Sequence, residues 1–406
     1  MLKVFLKKMI KNKFKNDVSI IGGFGHVGLP LGIMFASKNL KVSLNDINEK
    51  SFKEIEKGKM PFIEYGADKI LKKVIDNRNL SLTLDISQIF YSKYIIIAIG
   101  TPIDEYMNPK VSNFLEFING IIKYLRSDQI IIIRSSVYPN VYSRVKDILP
   151  YALKKNLLYC PERIQQGYAI QELKKLPQII SGEYKATVKK GSDLFKKISK
   201  KIIISTVKEA ELVKLFSNAY RYSQFAMANQ FYMMCEKTDV NYNNVRKIMT
   251  ESYHRASGLP SAGFTAGPCL LKDTMQLSSF YGGSFSIGSA AMEVNEGLPD
   301  FIVNQLKKKY RLKSVKIAIL GMAFKANIDD IRDSLSFKLL KLLKFEGADV
   351  IQTDYFIKNK NFISLKKALN ISKILIIGCP HEKYKNIYIK KNQILIDPWD
   401  FVINKK

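Results

Sequence analysis

The chain has 406 residues, 47% of them apolar, four cysteines and a formal net charge of +29; that length calls for two or three domains, and that apolar share is enough to fill their cores. No uncharged apolar run reaches about 18 residues, so no transmembrane helix is expected, and the start MLKVFLKKMIKNKFKN has no uninterrupted apolar stretch of the signal-peptide kind. The charge fits either an anionic or nucleic-acid partner or a lysine-rich composition spread over solvated faces. Lysines run along the whole chain without a nucleic-acid-binding motif, which favours the second reading, with neither nucleic acid nor membrane as partner.

Residues 1–16 form a basic extension to which no function is assigned. The segment NDVSIIGGFGHVGLPLGIMFASKNLKVSLNDIN follows. An apolar strand, Val18 to Ile21, runs into Gly23-Phe24-Gly25-His26-Val27-Gly28. A helical pattern (Leu31, Met34, Phe35) leads to a second strand from Lys41 to Leu44, which ends at Asp46. A glycine-rich turn between strand and helix, with an acid about 18 residues past the last glycine, is the dinucleotide fingerprint in its required context. Gly23 permits the tight turn, Gly25 lets a pyrophosphate approach the backbone, and Gly28 lets helix and strand pack closely. A carboxylate at Asp46 suits a ribose 2′-hydroxyl and repels a 2′-phosphate, so NAD is the expected cofactor.

Further strands are expected in KYIIIAIGTP, QIIIIRSSVYP, LLYCPERI, PQIISG and KIIIST. In an open parallel sheet, ligands bind outside the carboxyl ends of the strands. Gly100-Thr101-Pro102, Ser135-Ser136 and Glu162-Arg163 therefore point to one crevice. From Val207 to about Asp239 the pattern is one long helix, with Leu212, Leu215, Phe216, Ala219 and Tyr220 on apolar spacing and no Gly or Pro to interrupt it. Such a helix can join two domains and offer a dimer surface. Lys214 and Asn218 share one of its faces.

In GFTAGPCLLKDTMQL, residues 263–277, Cys269 stands behind a Gly, Ala and Pro run and ahead of Lys272-Asp273. A structural cysteine rarely needs those neighbours. A second α/β unit begins at VKIAILGMAF, with a strand at 315–320, a loop carrying Lys325 and Asp329-Asp330-Ile331-Arg332, an amphipathic helix, and strands in ADVIQTD, KILIIG and QILID. It lacks the glycine fingerprint. The expected fold class is α/β: two Rossmann-like doubly wound parallel-sheet domains joined by a long central helix and a helical middle domain.

In chain order, GGFGHVGLP, IGTP, RSSVYP, CPERIQQG, EAELVKLFSNAYR, AGPCLLKD and GMAFKANIDDIRDS resemble the UDP-glucose/GDP-mannose dehydrogenase family over nearly the whole chain from about residue 17. The resemblance implies an NAD-binding Rossmann domain at 17–206, a helical central and dimerisation domain with the cysteine loop at 207–310, and a nucleotide-sugar (UDP) binding domain at 311–406. It implies oxidation of a UDP-sugar C6 hydroxyl to a carboxylate with two NAD, in a homodimer serving surface polysaccharide synthesis; the four widely scattered cysteines, without metal spacing, fit a reduced, cytoplasmic chain.

The same resemblance makes Cys269 the nucleophile that carries the aldehyde intermediate through a thiohemiacetal to a thioester. Lys214 and Asn218 would stabilise oxyanions. Glu162 would act as general base through water, and Asp273 and Ser136 would position that water. Cofactor contacts are implied for Gly23, Gly25, His26, Val27, Gly28, Asp46, Thr101, Ser136, Glu162, Lys272 and Arg332. Substrate contacts are implied for Glu162, Arg163, Lys214, Asn218, Arg255, Gly263 and Lys325. Lys272 would also bring positive charge beside the sulfur.

Several positions depart from the family pattern. Ser136 replaces a threonine, Ser261-Ala262 and Ala266 replace glycines near the nucleophile, and LIDPWDF shows no arginine after the last strand. His26 fits a tolerated loop residue better than a catalyst, His254 neighbours Arg255, and His381 is expected at the surface. Cys160, Cys235 and Cys379 read as packing residues. Three scattered histidines imply no metal site. CPERI followed by Gly167 and Leu176-Pro177 resembles the branch acting on UDP-N-acetylhexosamines such as UDP-N-acetylmannosamine, whereas the retained Lys272-Asp273 resembles the glucose and mannose enzymes. The alternatives are a UDP-glucose 6-dehydrogenase and a non-catalytic nucleotide-sugar binding protein of the same fold.

Overall fold

The computed structural model describes residues 14–101, 104 and 110–403; residues 1–13 of the basic extension and Pro102 of the IGTP motif lie outside them. The described residues form two compact units that divide after Lys214, within one continuous helix, Val207–Lys237.

The first unit is built on eight strands: β1 (Asn16–Ile21), β2 (Val42–Asn45), β3 (Leu80–Thr83), β4 (Ser92–Ile97), β5 (Ile130–Ile133), β6 (Leu157–Tyr159), β7 (Gln178–Ser181) and β8 (Ile202–Ser205). Their order is β3-β2-β1-β4-β5-β6-β7-β8. Successive side chains of a strand point to opposite faces. Ile96 and Ile132 accordingly enter one apolar core, and Ile95, Ile97, Ile131 and Ile133 the other. Both faces are covered, which explains the unbroken isoleucine runs. The order reverses between β1 and β4, which makes a topological switch point beside the glycine turn.

The strands pair in parallel except at one place. β7 meets β6 antiparallel, through Tyr159 and Ser181 alone, and then pairs in parallel with β8. The chain after β6 is anchored by Arg134, which donates to the Cys160 and Pro161 carbonyls, and by Glu64, which accepts from the amides of Gly167 and Ile170. It turns back from there instead of crossing over. The ends of β4, β5 and β6 still share one edge.

The second unit carries a parallel four-stranded sheet in the order β10-β9-β11-β12, from β9 (Lys316–Leu320), β10 (Asp349–Thr353), β11 (Ile374–Ile377) and β12 (Ile394–Ile396). Ahead of it run the end of the long helix and helices Tyr242–Thr250, Leu270–Phe280 and Ser286–Lys309. At about 1.5 Å per residue the uninterrupted Val207–Lys237 helix is about 46 Å long. Its apolar residues divide between two faces. Leu215 and Ala219 are buried, whereas Phe216, Tyr220, Met227 and Met234 are exposed along a neighbouring face. No helix among the described residues is long and apolar enough to cross a membrane.

Candidate functional site

In the first unit, the glycine turn leads into helix Gly28–Ala36, whose N-cap is Val27 and carries no side-chain cap. A Cβ on Gly28 would lie 2.2 Å from the Gly22 carbonyl, and one on Gly23 would lie 2.8 Å from Leu44 Cβ. Both positions exclude any larger residue. Gly25 is exposed, with its nearest neighbour 3.6 Å from such a Cβ, so that face of the turn stays open. An open turn and uncapped helix amides form a cradle for a pyrophosphate. Asp46 accepts from the amides of Phe24 (3.0 Å), Ile47 (2.8 Å) and Asn48 (3.2 Å). It therefore fixes the turn, and its remaining lone pairs can take ribose hydroxyls. These residues fit NAD. His26, half-buried, stacks on Phe62 at 3.9 Å and meets Gln166.

At the neighbouring strand ends, the Thr101 hydroxyl donates to the Ser136 carbonyl (2.6 Å), so these two expected cofactor contacts are adjacent. Glu162 is more constrained than a free base. One carboxylate oxygen pairs with the buried Arg134 guanidinium, and the other accepts from the amides of Arg163 (2.7 Å) and Ile164 (3.0 Å). Arg134 also donates to Gln178 (2.7 Å). Arg163 is half-buried, donates to the Pro177 carbonyl (2.8 Å), and has its pKa pushed down by burial first.

In the second unit, Cys269 is the N-cap of helix Leu270–Phe280 and is exposed. Cys160 and Cys379 are buried, and burial pushes the Cys160 thiol up to about 12 and Cys379 also upward. One turn into the helix, Asp273 is 1% exposed and accepts from the Asn218 amide at 2.6 Å, while Lys272 Nζ lies 3.6 Å from its other oxygen. Lys214, the last residue of the first unit and one turn before Asn218 on the same helix, is buried.

The cysteine loop is wedged in place. Gly263 has φ +143°, and a Cβ there would fall 2.3 Å from the Trp399 ring; Gly267 has φ +104°, and a Cβ would fall 2.4 Å from Phe324. Asn229 accepts from the Gly263 amide (2.8 Å) and donates to Asn295 (2.9 Å), which donates to the Tyr222 carbonyl (3.0 Å). Arg332 is paired with Asp330. Its pKa is raised, first by that hydrogen bond. Arg255 is exposed on the turn His254–Ala256, over the Tyr253 ring at 5.6 Å.

His381 is not at the surface. It is fully buried, because both ring nitrogens are bonded, to Asp354 and to the Asn327 amide. Sequence reasoning also passed over Arg134, Asp354, Asn229, Asn295, Phe324 and Trp399. Two of these carried a signal. Arg134 is a charge straight after four isoleucines, and Asp354 follows β10 as Asp46 follows β2.

Three domains of the UDP-glucose/GDP-mannose dehydrogenase family match in order: the NAD binding domain at residues 16–199, the central domain at 208–297 and the UDP binding domain at 318–403. The chain is 28% identical over 410 residues to the UDP-N-acetyl-D-mannosamine dehydrogenase of Methanocaldococcus jannaschii, covering 97% of this chain and 94% of that protein. The Campylobacter jejuni protein of the same name is 27% identical, with 94% and 98% covered. Among solved structures, the UDP-D-ManNAc dehydrogenase of Pyrococcus horikoshii superposes with a TM-score of 0.87 at 25% identity, covering 96% of each chain. A UDP-glucose dehydrogenase from Pyrobaculum islandicum shares the fold, with a TM-score of 0.84 at 21% identity and 96% and 95% covered. The fold, the dinucleotide cradle and these matches agree: the chain belongs to the UDP-glucose/GDP-mannose dehydrogenase family and is an NAD-dependent oxidoreductase that oxidises a UDP-sugar.

Proposed function

We propose that the chain oxidises the C6 hydroxyl of UDP-N-acetylmannosamine to the carboxylate through a thioester on Cys269. The observation that carries this reading is the exposed thiol at a helix N-terminus with the Asn218–Asp273 pair one turn behind it. Bound NAD supplies the hydride acceptor for both oxidations. The C6 alcohol loses a carbon-bound hydrogen as hydride and its hydroxyl proton to become the aldehyde; the Cys269 sulfur adds to that carbonyl carbon as the oxygen takes a proton, and the resulting thiohemiacetal loses its carbon-bound hydrogen as a second hydride and its hydroxyl proton to become a thioester. Water adds to that carbonyl, the C–S bond breaks, and the carboxylate leaves with the thiol regenerated.

Asn218 offers an amide donor, and Lys214 a buried cation one turn away, for the oxyanions formed on the way. Asp273 has a carboxylate oxygen that makes no hydrogen bond and can orient the water. Glu162 accepts hydrogen bonds that anchor the turn at the end of β6 and keeps lone-pair capacity for the water it would activate as general base. Gly23, Gly25, Val27, Gly28, Asp46, Thr101 and Ser136 serve the cofactor; Lys325 and Arg255 serve the substrate.

The three-part division at about residues 206 and 310 is supported by the positions of the family matches. A homodimer is supported by the exposed Phe216, Tyr220, Met227 and Met234 along one helix face. A cytoplasmic setting is supported by four unpaired cysteines. Scattered lysines support the reading without nucleic acid, and a role in surface polysaccharide synthesis follows from the family. The choice of sugar is supported by the relatives named above and by CPERIQQG. Competing UDP-N-acetylmannosamine against UDP-glucose tests it: a higher kcat/KM for the former is expected, and a preference for UDP-glucose overturns it.

A further inference from the structure

Two loops and a strand end of the second unit converge on His381. The ring and the Asp354 carboxylate are both fully buried, with His381 Nε2 3.0 Å from Asp354 Oδ2. On the other side of the ring, Nδ1 lies 2.8 Å from the Asn327 amide nitrogen. A backbone N–H can only donate, so Nδ1 is the acceptor and Nε2 carries the hydrogen toward the carboxylate. The histidine is thus a two-ended connector with one polarity at each end.

Asp354 Oδ2 also accepts from the amides of Met322 (2.7 Å) and Ala323 (3.1 Å), and Oδ1 from those of Phe356 (2.8 Å) and Ile357 (3.1 Å). The loop that carries Lys325 is therefore pinned on both sides of that lysine. Met322 and Ala323 hang on Asp354 directly, and Asn327 hangs on it through His381. Asn327 sits in the left-handed region at φ 61°, and its side chain accepts from the Glu382 amide at 2.9 Å. The rings of Phe356 and Tyr384 flank the imidazole at 4.9 and 5.4 Å and keep it in one orientation.

We propose that His381 is a positioning residue for substrate binding, which acts through Asn327 to hold Lys325 toward the nucleotide sugar. The proposal rests on the reading of Lys325 as a substrate contact. Glutamine at 381 can keep the donor to Asp354 but loses the acceptor for Asn327; asparagine supplies an acceptor near the place of Nδ1.

The test measures kcat, the KM for UDP-N-acetylmannosamine, the KM for NAD and Tm in the full chain and in His381→Gln, His381→Asn, Lys325→Met and the Lys325→Met/His381→Gln double variant. UDP-glucose replaces the sugar if competition favours it. For His381→Gln the sugar KM is expected to rise about tenfold with the NAD KM and kcat within about twofold, for His381→Asn most of the loss is recovered, and in the double variant the glutamine adds nothing to Lys325→Met. An unchanged sugar KM in His381→Gln, equal effects of Gln and Asn, an equal rise in the NAD KM, or additivity with Lys325→Met would each overturn it. If His381→Gln does not fold, His381→Asn decides alone, because a tenfold loss there contradicts the connector. An unchanged sugar KM in Lys325→Met would instead remove the reading of the lysine, a result distinct from the histidine arms.

Discussion

Arg134 lies buried against Glu162, joining the end of β5 to the turn that follows β6. Its guanidinium also reaches Gln178 and the Cys160 carbonyl, so it ties three chain segments at the rim of the candidate crevice. Breaking a buried ion pair from one side costs about 3–5 kcal/mol, because the other charge is left alone. Arg134→Met should therefore lower Tm strongly. Glu162→Gln should be less stable and should release acid more slowly. Rapid-quench trapping separates the two roles: a Glu162→Gln enzyme is expected to stall with the sugar bound covalently to Cys269, and one that does not stall leaves Glu162 as an anchor alone.

Gly267 presses the cysteine loop onto Phe324, which leaves no room for a side chain. A non-glycine residue at φ +104° is strained by about 1–3 kcal/mol before any overlap is counted. Gly267→Ala should depress kcat by tenfold or so while leaving the NAD KM unchanged. Adding Phe324→Leu should restore part of the activity, because it relieves the overlap but not the backbone strain. Steady-state kinetics on the single and double variants check this, and full activity in Gly267→Ala would refute the wedge.

Burial pushes the Asp354 carboxyl up, but the hydrogen bonds it accepts from His381 and from the amides of Met322 and Phe356 outweigh it, so its pKa is held below the ordinary 3.8. A depressed carboxylate means that the unfolded chain binds the proton more readily. Its stabilising contribution is then fully present above about pH 3.8 and is lost as pH falls through the lower folded value. Cys379 and Tyr384 are raised, first by burial and then by the Asp354 charge, and stay neutral across that window. Asp354→Asn should cost about 2 kcal/mol at pH 7, a gap that narrows below about pH 4. Denaturation of both proteins from pH 3 to 7 measures it, and a gap independent of pH would argue against the assignment.

Much of the fold was legible because its signals are local. The period-two isoleucine strands, the glycine turn before helix Gly28–Ala36 and the unbroken pattern of Val207–Lys237 each need only neighbouring residues. The reversal at β7 was not legible, since it depends on anchors at Arg134 and Glu64 that lie far away in sequence. His381 was misread for the same reason. A histidine after a strand looks like a surface residue until Asp354 and Asn327 arrive from separate loops. For the site, residue types and order suggested Cys269, Asp273 and Asn218. The packing of Gly263 on Trp399 and of Gly267 on Phe324, which shapes the loop, leaves no pattern within the loop itself.

The central claim is that one thiol carries a four-electron oxidation, and the NADH produced per sugar tests it most directly. With UDP-N-acetylmannosamine limiting and NAD in excess, the account predicts two NADH and one uronate per sugar, with net acid formation lost in Cys269→Ser. One NADH per sugar in the wild type, or full acid formation by Cys269→Ser, would contradict it.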